Sequence, residues 1–141
     1  MANEIVVTAA KVALVDPMKA TVKTYIAGVA ISAGESVYLE TASGTVKLCD
    51  ASAASNLAQF RGIALQTVGA GQAVDVCEDG EVTGFTLAGD YDALIYQHDT
   101  AGVISGTTGT VGVVLGRIAA LADASLTKVL RVFTTRSADW S

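Results

Sequence analysis

Ala27-Gly28-Val29-Ala30-Ile31-Ser32-Ala33-Gly34-Glu35-Ser36-Val37-Tyr38-Leu39-Glu40 is the stretch whose reading decides the fold. It runs as an apolar lead-in, a turn at Gly34 and a short alternating strand over Ser36–Glu40, the period-two pattern of a half-buried β-strand. A weaker copy lies downstream. Thr86-Leu87-Ala88-Gly89-Asp90-Tyr91-Asp92-Ala93-Leu94-Ile95-Tyr96 repeats the apolar lead-in, the Ala-Gly-acidic turn and an apolar pair ending in an aromatic. The echo continues, because Ser43-Gly44-Thr45-Val46 answers to Ala101-Gly102-Val103-Ile104, and Arg61-Gly62-Ile63-Ala64 to Gly116-Arg117-Ile118-Ala119. Two related β-units are therefore expected in one β domain over residues 25–133, split into about 25–85 and 86–133. Residues 1–24 stand before it as an N-terminal extended arm or first hairpin, and residues 134–141 follow as a tail.

A chain of 141 residues can bury about two-thirds of the surface its unfolded form exposes, enough for one core. Hydrophobic residues reach 51%, charged ones only 16%, and Pro occurs once, at Pro17; this balance speaks against disorder and favours an all-β domain. The net charge of −5 is unevenly placed. Residues 49–100 carry Arg61 alone against eight acids, whereas residues 101–141 carry four bases against two. Such an acidic middle is either a solvated face or one side of a subunit contact with the basic third. No basic patch interleaved with aromatics appears, so nucleic acid is not an expected partner.

Met1–Val7 lacks the basic and apolar regions of an export signal, so the protein is expected to stay in the cytosol where it is made. The longest uncharged stretch, Thr100–Gly116, is interrupted by five glycines and reads as strands and turns rather than a membrane span. Cys49 and Cys77, without CxxC spacing, point to two buried thiols rather than a disulfide.

Along the chain, Ile5, Val6, Val7, Val12, Leu14 and Val15 make residues 1–15 extended, Asp16-Pro17 interrupts, and Lys19–Ile26 resumes as a half-exposed strand. An ordinary first hairpin and an arm that adds a strand to a neighbouring molecule both fit this pattern. Ser36–Glu40 and Thr45–Leu48 form a hairpin, with Val46 and Leu48 on one face. Asp50 or Ser52 is placed to cap one or two helical turns through Ala51–Ala58, the one short helix expected. Further strands are predicted at Phe60–Leu65, Ala73–Cys77, Val82–Leu87, Leu94–Tyr96, Val111–Ile118 and Leu126–Phe133, with a hairpin turn at Asp79-Gly80 and tight turns at Gly34 and Gly89.

Candidate chemistry is sparse. Asp75, Glu78, Asp79 and Glu81 crowd together, but their spacing does not match a calcium loop, and no metal is expected. His98 is the single histidine; beside Asp99, and with Ser105 downstream, it allows a Ser-His-Asp arrangement to be imagined, yet no nucleophile elbow frames the serine. Gly69-Ala70-Gly71 lacks the lysine and helix of a phosphate loop. The expectation is a non-enzyme without cofactor.

Taken in order, Ala33-Gly34-Glu35-Ser36-Val37-Tyr38-Leu39, Ser43-Gly44-Thr45-Val46, the Ala-rich stretch 51–58, Gly62-Ile63-Ala64 and Ala70-Gly71-Gln72-Ala73-Val74-Asp75-Val76 resemble the small capsid decoration proteins of tailed bacteriophages, also called cement or head-stabilising proteins. Members carry an A-G-[DE]-x-V-Y-L hairpin, a short Ala-rich segment ending in G-I-A, and an A-G-x-x-V-x-V strand. Their second half holds a Tyr, a Thr-Ala-Gly turn and a G-x-V strand, matched here by Tyr96, Thr100-Ala101-Gly102 and Gly116-Arg117-Ile118. The resemblance spans roughly residues 25–133. It implies a small β-barrel-like or β-tulip domain that binds the major capsid protein on the outer surface of the virion as a homo-oligomer, usually a homotrimer, with no catalysis, no nucleic acid and no membrane.

Residues 1–24 and the tail lie beyond the resemblance, so capsid or subunit contacts are expected at Ile5, Val6, Val7, Val12, Leu14 and Trp140. An arm of this kind further predicts that deleting residues 2–15 leaves the domain folded. The alternative class is a carbohydrate-binding or adhesive surface β-domain, for which Tyr25, Tyr38, Tyr91, Tyr96 and Trp140 are the aromatic candidates.

Overall fold

The computed structural model describes residues 4–52 and 56–133. Its strands, in chain order, are β1 (Val6–Val7), β2 (Ala13–Leu14), β3 (Thr21–Ile26), β4 (Ser36–Leu39), β5 (Val46–Leu48), β6 (Phe60–Ala64), β7 (Ala73–Thr83), β8 (Phe85–Thr86), β9 (Leu94–Gln97), β10 (Ile104–Ser105), β11 (Val114–Ala120) and β12 (Lys128–Phe133). The domain is all-β and barrel-like, as expected. The short helix expected over residues 51–58 lies partly outside the described residues; within them stand three 3-10 turns at Ala9–Lys11, Pro17–Lys19 and Asn56–Ala58. Asp50 Oδ1 does accept the Ser52 N–H at 2.7 Å. Asn56, however, is drawn to the β4–β5 hairpin: its side chain accepts from Thr41 N–H and donates to Leu39 O. None of the described helical turns is long and apolar enough to cross a membrane.

The echo in the sequence is also an echo in connectivity. β4 and β5 form a hairpin, β6 returns to pair with β4, and β7 pairs with β6. Likewise β9 and β10 form a hairpin, β11 returns to pair with β9, and β12 pairs with β11. β7 and β12 then pair with each other, so the order β10-β9-β11-β12-β7-β6-β4-β5 presents the same unit read from either end. Gly44 and Gly102, matched in the echo, both take positive φ, +74° and +77°. That conformation is cheap only for glycine.

The strip curls until its two end hairpins meet. Ser36 N–H donates to Gly102 O at 3.1 Å, Gly102 N–H to Cys49 O at 2.8 Å, and Ala51 N–H to His98 O at 3.3 Å.

β7 is the spine. Along it, Cys77 lies opposite both Val22 and Ile63, and Val82 opposite both Leu14 and Leu130. The hairpin expected at Asp79-Gly80 therefore does not form, because partners on both sides of the dipeptide hold the strand straight through it. A bulge that skips Glu78 and a φ of +143° at Gly80 absorb the local turn tendency. Gly34 has the positive φ expected of a tight turn, +92°, but Gly89 does not; downstream the left-handed residue is Asp92, at +67°.

Two apolar cores result. Ile63, Cys77, Val82, Ile95, Leu115 and Leu130 belong to one; Tyr25, Ile31, Val37, Val46, Ala64 and Val76 to the other. Neighbouring residues of β6 and β7 divide between them, since alternate side chains point to opposite faces of a strand. Ile63 and Cys77 enter the first core, Ala64 and Val76 the second.

Candidate interaction surfaces

The residues expected to grip a partner begin in the N-terminal segment, and that segment lies against its own domain. Ala13 is opposite Thr83 and Ile26 opposite Ala73, so residues 13–26 follow β7 antiparallel over its whole length. Further back, β1 pairs with β8, Ile5 N–H donates to Ile104 O at 2.9 Å, and Thr8 N–H donates to Gly84 O at 2.8 Å. This is neither a first hairpin nor a projecting arm. Ile5, Val7, Val12 and Leu14 are half-buried against the first core, while Val6, on the opposite face of β1, is 65% exposed. Alternation along a two-residue strand is enough to separate Val6 from Val7. Trp140 lies outside the described residues.

The groups singled out for chemistry are each held by a local partner. His98 Nδ1 accepts the Thr100 N–H at 2.9 Å, leaving Nε2 to face Glu4 Oε2 at 3.6 Å. Asp99 does not turn to the imidazole. Its carboxylate accepts from the Thr110 hydroxyl at 2.6 Å and the Thr110 N–H at 2.7 Å, and these bonds hold its pKa below the ordinary value. Ser105 Oγ donates to Thr107 O at 2.5 Å. The imagined Ser-His-Asp set is thus three separate turn-stabilising contacts.

Cys49 and Cys77 are buried and not joined in a disulfide. Burial pushes their thiols up to about 12 and about 11. Among the acids, Asp75 accepts from Thr24 and Gln66, Glu78 from Tyr25, and Asp79 from Arg131. No three His, Cys, Asp or Glu among the described residues are grouped to hold a metal ion.

Gln97, one residue past the strand expected at Leu94–Tyr96, belongs to β9 and is fully buried at its end. Its Oε1 accepts from Ser36 Oγ at 2.5 Å, and its Nε2, with two N–H groups to share, lies 2.9–3.0 Å from the carbonyl oxygens of Cys49, His98 and Val103. Its spacing of two from Ile95 was the available signal for an inward side chain.

Among the described residues, one concavity of about 330 Å³ opens between Glu4-Ile5 and the segment Thr86–Gly89 and is also lined by Ile95 and Ile118; another, of about 230 Å³, is lined by Asp16, Lys19, Gly80, Glu81 and Arg131. No protein-family model, curated protein or solved structure matches the chain.

Proposed function

We propose that this chain is a structural virion protein that decorates and stabilises the outside of a bacteriophage capsid by binding the major capsid protein as a homo-oligomer. The observation that carries the reading is the ordered series of hairpin and strand motifs from Ala33 to Ile118, which resembles the head-decoration proteins along most of the domain. The barrel-like all-β architecture supports it, being of the kind that resemblance implies. Support also comes from the use of His98, Asp99, Ser105 and the acidic cluster to hold turns and strands together, as suits a protein whose task is to keep a surface in shape. A small clamp of this kind gains its grip by multivalency, since linked copies that engage neighbouring capsomers raise one another's effective concentration.

Val6 is the contact residue best displayed for such a role, with Ile5, Val7, Val12 and Leu14 fixing the segment beneath it. The test is to measure solution mass by light scattering and then to sediment the protein with empty expanded phage heads. Saturable co-sedimentation of an oligomer, weakened by Val6→Asp, is the expected result. A protein that ignores heads and binds glycans saturably would replace this reading with the carbohydrate-binding one.

A further inference from the structure

β3 is a six-residue strand whose second edge pairs with nothing among the described residues. The flanks of β5 and β10 at the two ends of the sheet are partly covered: Ala27 bridges to Val46 of β5, and Glu4 to Ser105 of β10. The backbone groups that face outward from β3 can be identified. Ala27 N–H donates toward β7, to Gln72 O, so by alternation Tyr25 and Lys23 also direct their backbone groups toward β7 and Val22, Thr24 and Ile26 direct theirs away. Asp75, opposite Thr24, agrees with this. Its C=O accepts Leu65 N–H and its own N–H donates to Gln66 Oε1, so neither is turned to β3.

The same three residues carry their side chains on the solvent face, where Val22 is 39% and Ile26 47% exposed. Edge strands are usually blunted by charge, Pro or a bulge. β3 has one charged residue, Lys23, and its ammonium lies over the Tyr25 ring, 5.3 Å from the centroid, on the opposite face from Val22, Thr24 and Ile26.

We propose that β3 is a self-complementary edge through which two copies of this chain pair antiparallel, continuing one sheet across a two-fold axis at Thr24. In that register Val22 lies opposite Ile26 of the second copy on the outer face, and Ile26 opposite its Val22. Each covers apolar surface that is otherwise wet. Thr24 meets Thr24 on the axis, and Lys23 lies opposite the aromatic Tyr25 rather than another lysine, so no like charges face each other. The outward N–H and C=O groups of all three residues are then matched, about six hydrogen bonds in all. A shift by two residues breaks the Val22–Ile26 match, and a shift by one turns the faces over. This fit between β3 and itself is what favours a second copy over an unrelated extended peptide. The contact does not depend on the capsid reading; it closes at two copies, and a three-fold assembly would use another surface.

Cross-linking tests the register directly. Hydrogen-bonded antiparallel partners have Cα atoms about 5.5 Å apart, within disulfide reach. The full chain with Thr24→Cys, reduced and then treated with oxidised glutathione, should become a disulfide-linked dimer on a non-reducing gel. Ile26→Cys, which faces Val22 of the second copy, should cross-link about tenfold more slowly or worse. A Thr24→Cys protein that stays single, or two variants that link at equal rates, would overturn the proposal. A second measurement uses no thiol: in sedimentation equilibrium the wild-type chain should self-associate, and Thr24→Lys, which sets two ammonium groups face to face on the axis, should raise the dissociation constant about tenfold. Equal association by both proteins would overturn it as well.

Discussion

Gln97 fastens the two halves at the residue scale. Its buried amide bonds Ser36 of β4 on one side and three carbonyls of the facing loops on the other. Gln97→Leu, similar in volume, removes the amide's bonds and strands the Ser36 hydroxyl, so a loss of about 2–3 kcal/mol in urea unfolding is expected. An unchanged midpoint would show that the amide is dispensable. Tyr25 sets a pH limit. Burial, followed by the hydrogen bond to Glu78 and its charge, pushes the phenol up to about 12. An unfolded tyrosine ionises near pH 10. The native state thus keeps a proton that the unfolded state loses, and the stability this contributes is complete below about pH 10 and disappears between about 10 and 12. The cysteines add the same sign from about pH 9 upward. Tyr25→Phe should flatten the fall of the urea midpoint between pH 10 and 12; parallel curves for both proteins would exclude Tyr25 as its source. Gly34 and Gly89 look alike in sequence and differ in space. A Cβ on Gly34 would stand 2.3 Å from Val7 Cγ1 at a φ of +92°, whereas one on Gly89, without positive φ, would stand 3.0 Å from the side-chain end of Ile118 and 3.8 Å from Ala93 Cβ. Gly34→Ala should therefore cost at least about 1 kcal/mol more than Gly89→Ala by thermal unfolding.

At the scale of elements, the segments legible in the sequence were those whose partners are close in the chain. The β4–β5 hairpin is announced by Ser43-Gly44 between two alternating runs, and β9 and β12 by short apolar strands beside clear turns. β7 was cut at Asp79-Gly80 because local turn chemistry is visible in sequence, whereas the long-range partners that override it, Thr21, Phe133 and Val132, are not. The N-terminal segment shows the same limit: an extended apolar run looks alike in sequence whether it packs on its own domain or reaches a neighbour, and the structure lays it along β7 and β8. Its packing reverses the expectation for deletion. Removing residues 2–15 uncovers the first core beneath Ile5, Val7, Val12 and Leu14 and takes β2 from β7. The truncated chain should lose about 3 kcal/mol or more, or fail to fold, as read by circular dichroism and thermal midpoint. A truncated protein with the wild-type midpoint would restore the view of residues 2–15 as an arm external to the fold.

For the whole molecule, the repeated connectivity raises the question of whether the two halves unfold as one. Each half has its own hairpin and its own share of apolar residues, an arrangement that would suit separate lobes. The β6–β7 pair argues otherwise, because it is a wall common to both cores: Ile63 and Cys77 fill one side, Ala64 and Val76 the other. Melting either core leaves that wall with a bare apolar face, and the hydrogen bonds between Ser36, Cys49 and Ala51 on one side and His98 and Gly102 on the other are lost with it. Leu115, fully buried in the first core, provides the test. Leu115→Ala should cost about 2–5 kcal/mol. In native-state hydrogen exchange, the slowest amides of β4, in the second core, should lose the same free energy of protection as those of β9, in the first. Loss confined to β9, β11 and β12 would instead mean that the shared wall survives the melting of one core, and that the two cores are energetically separate.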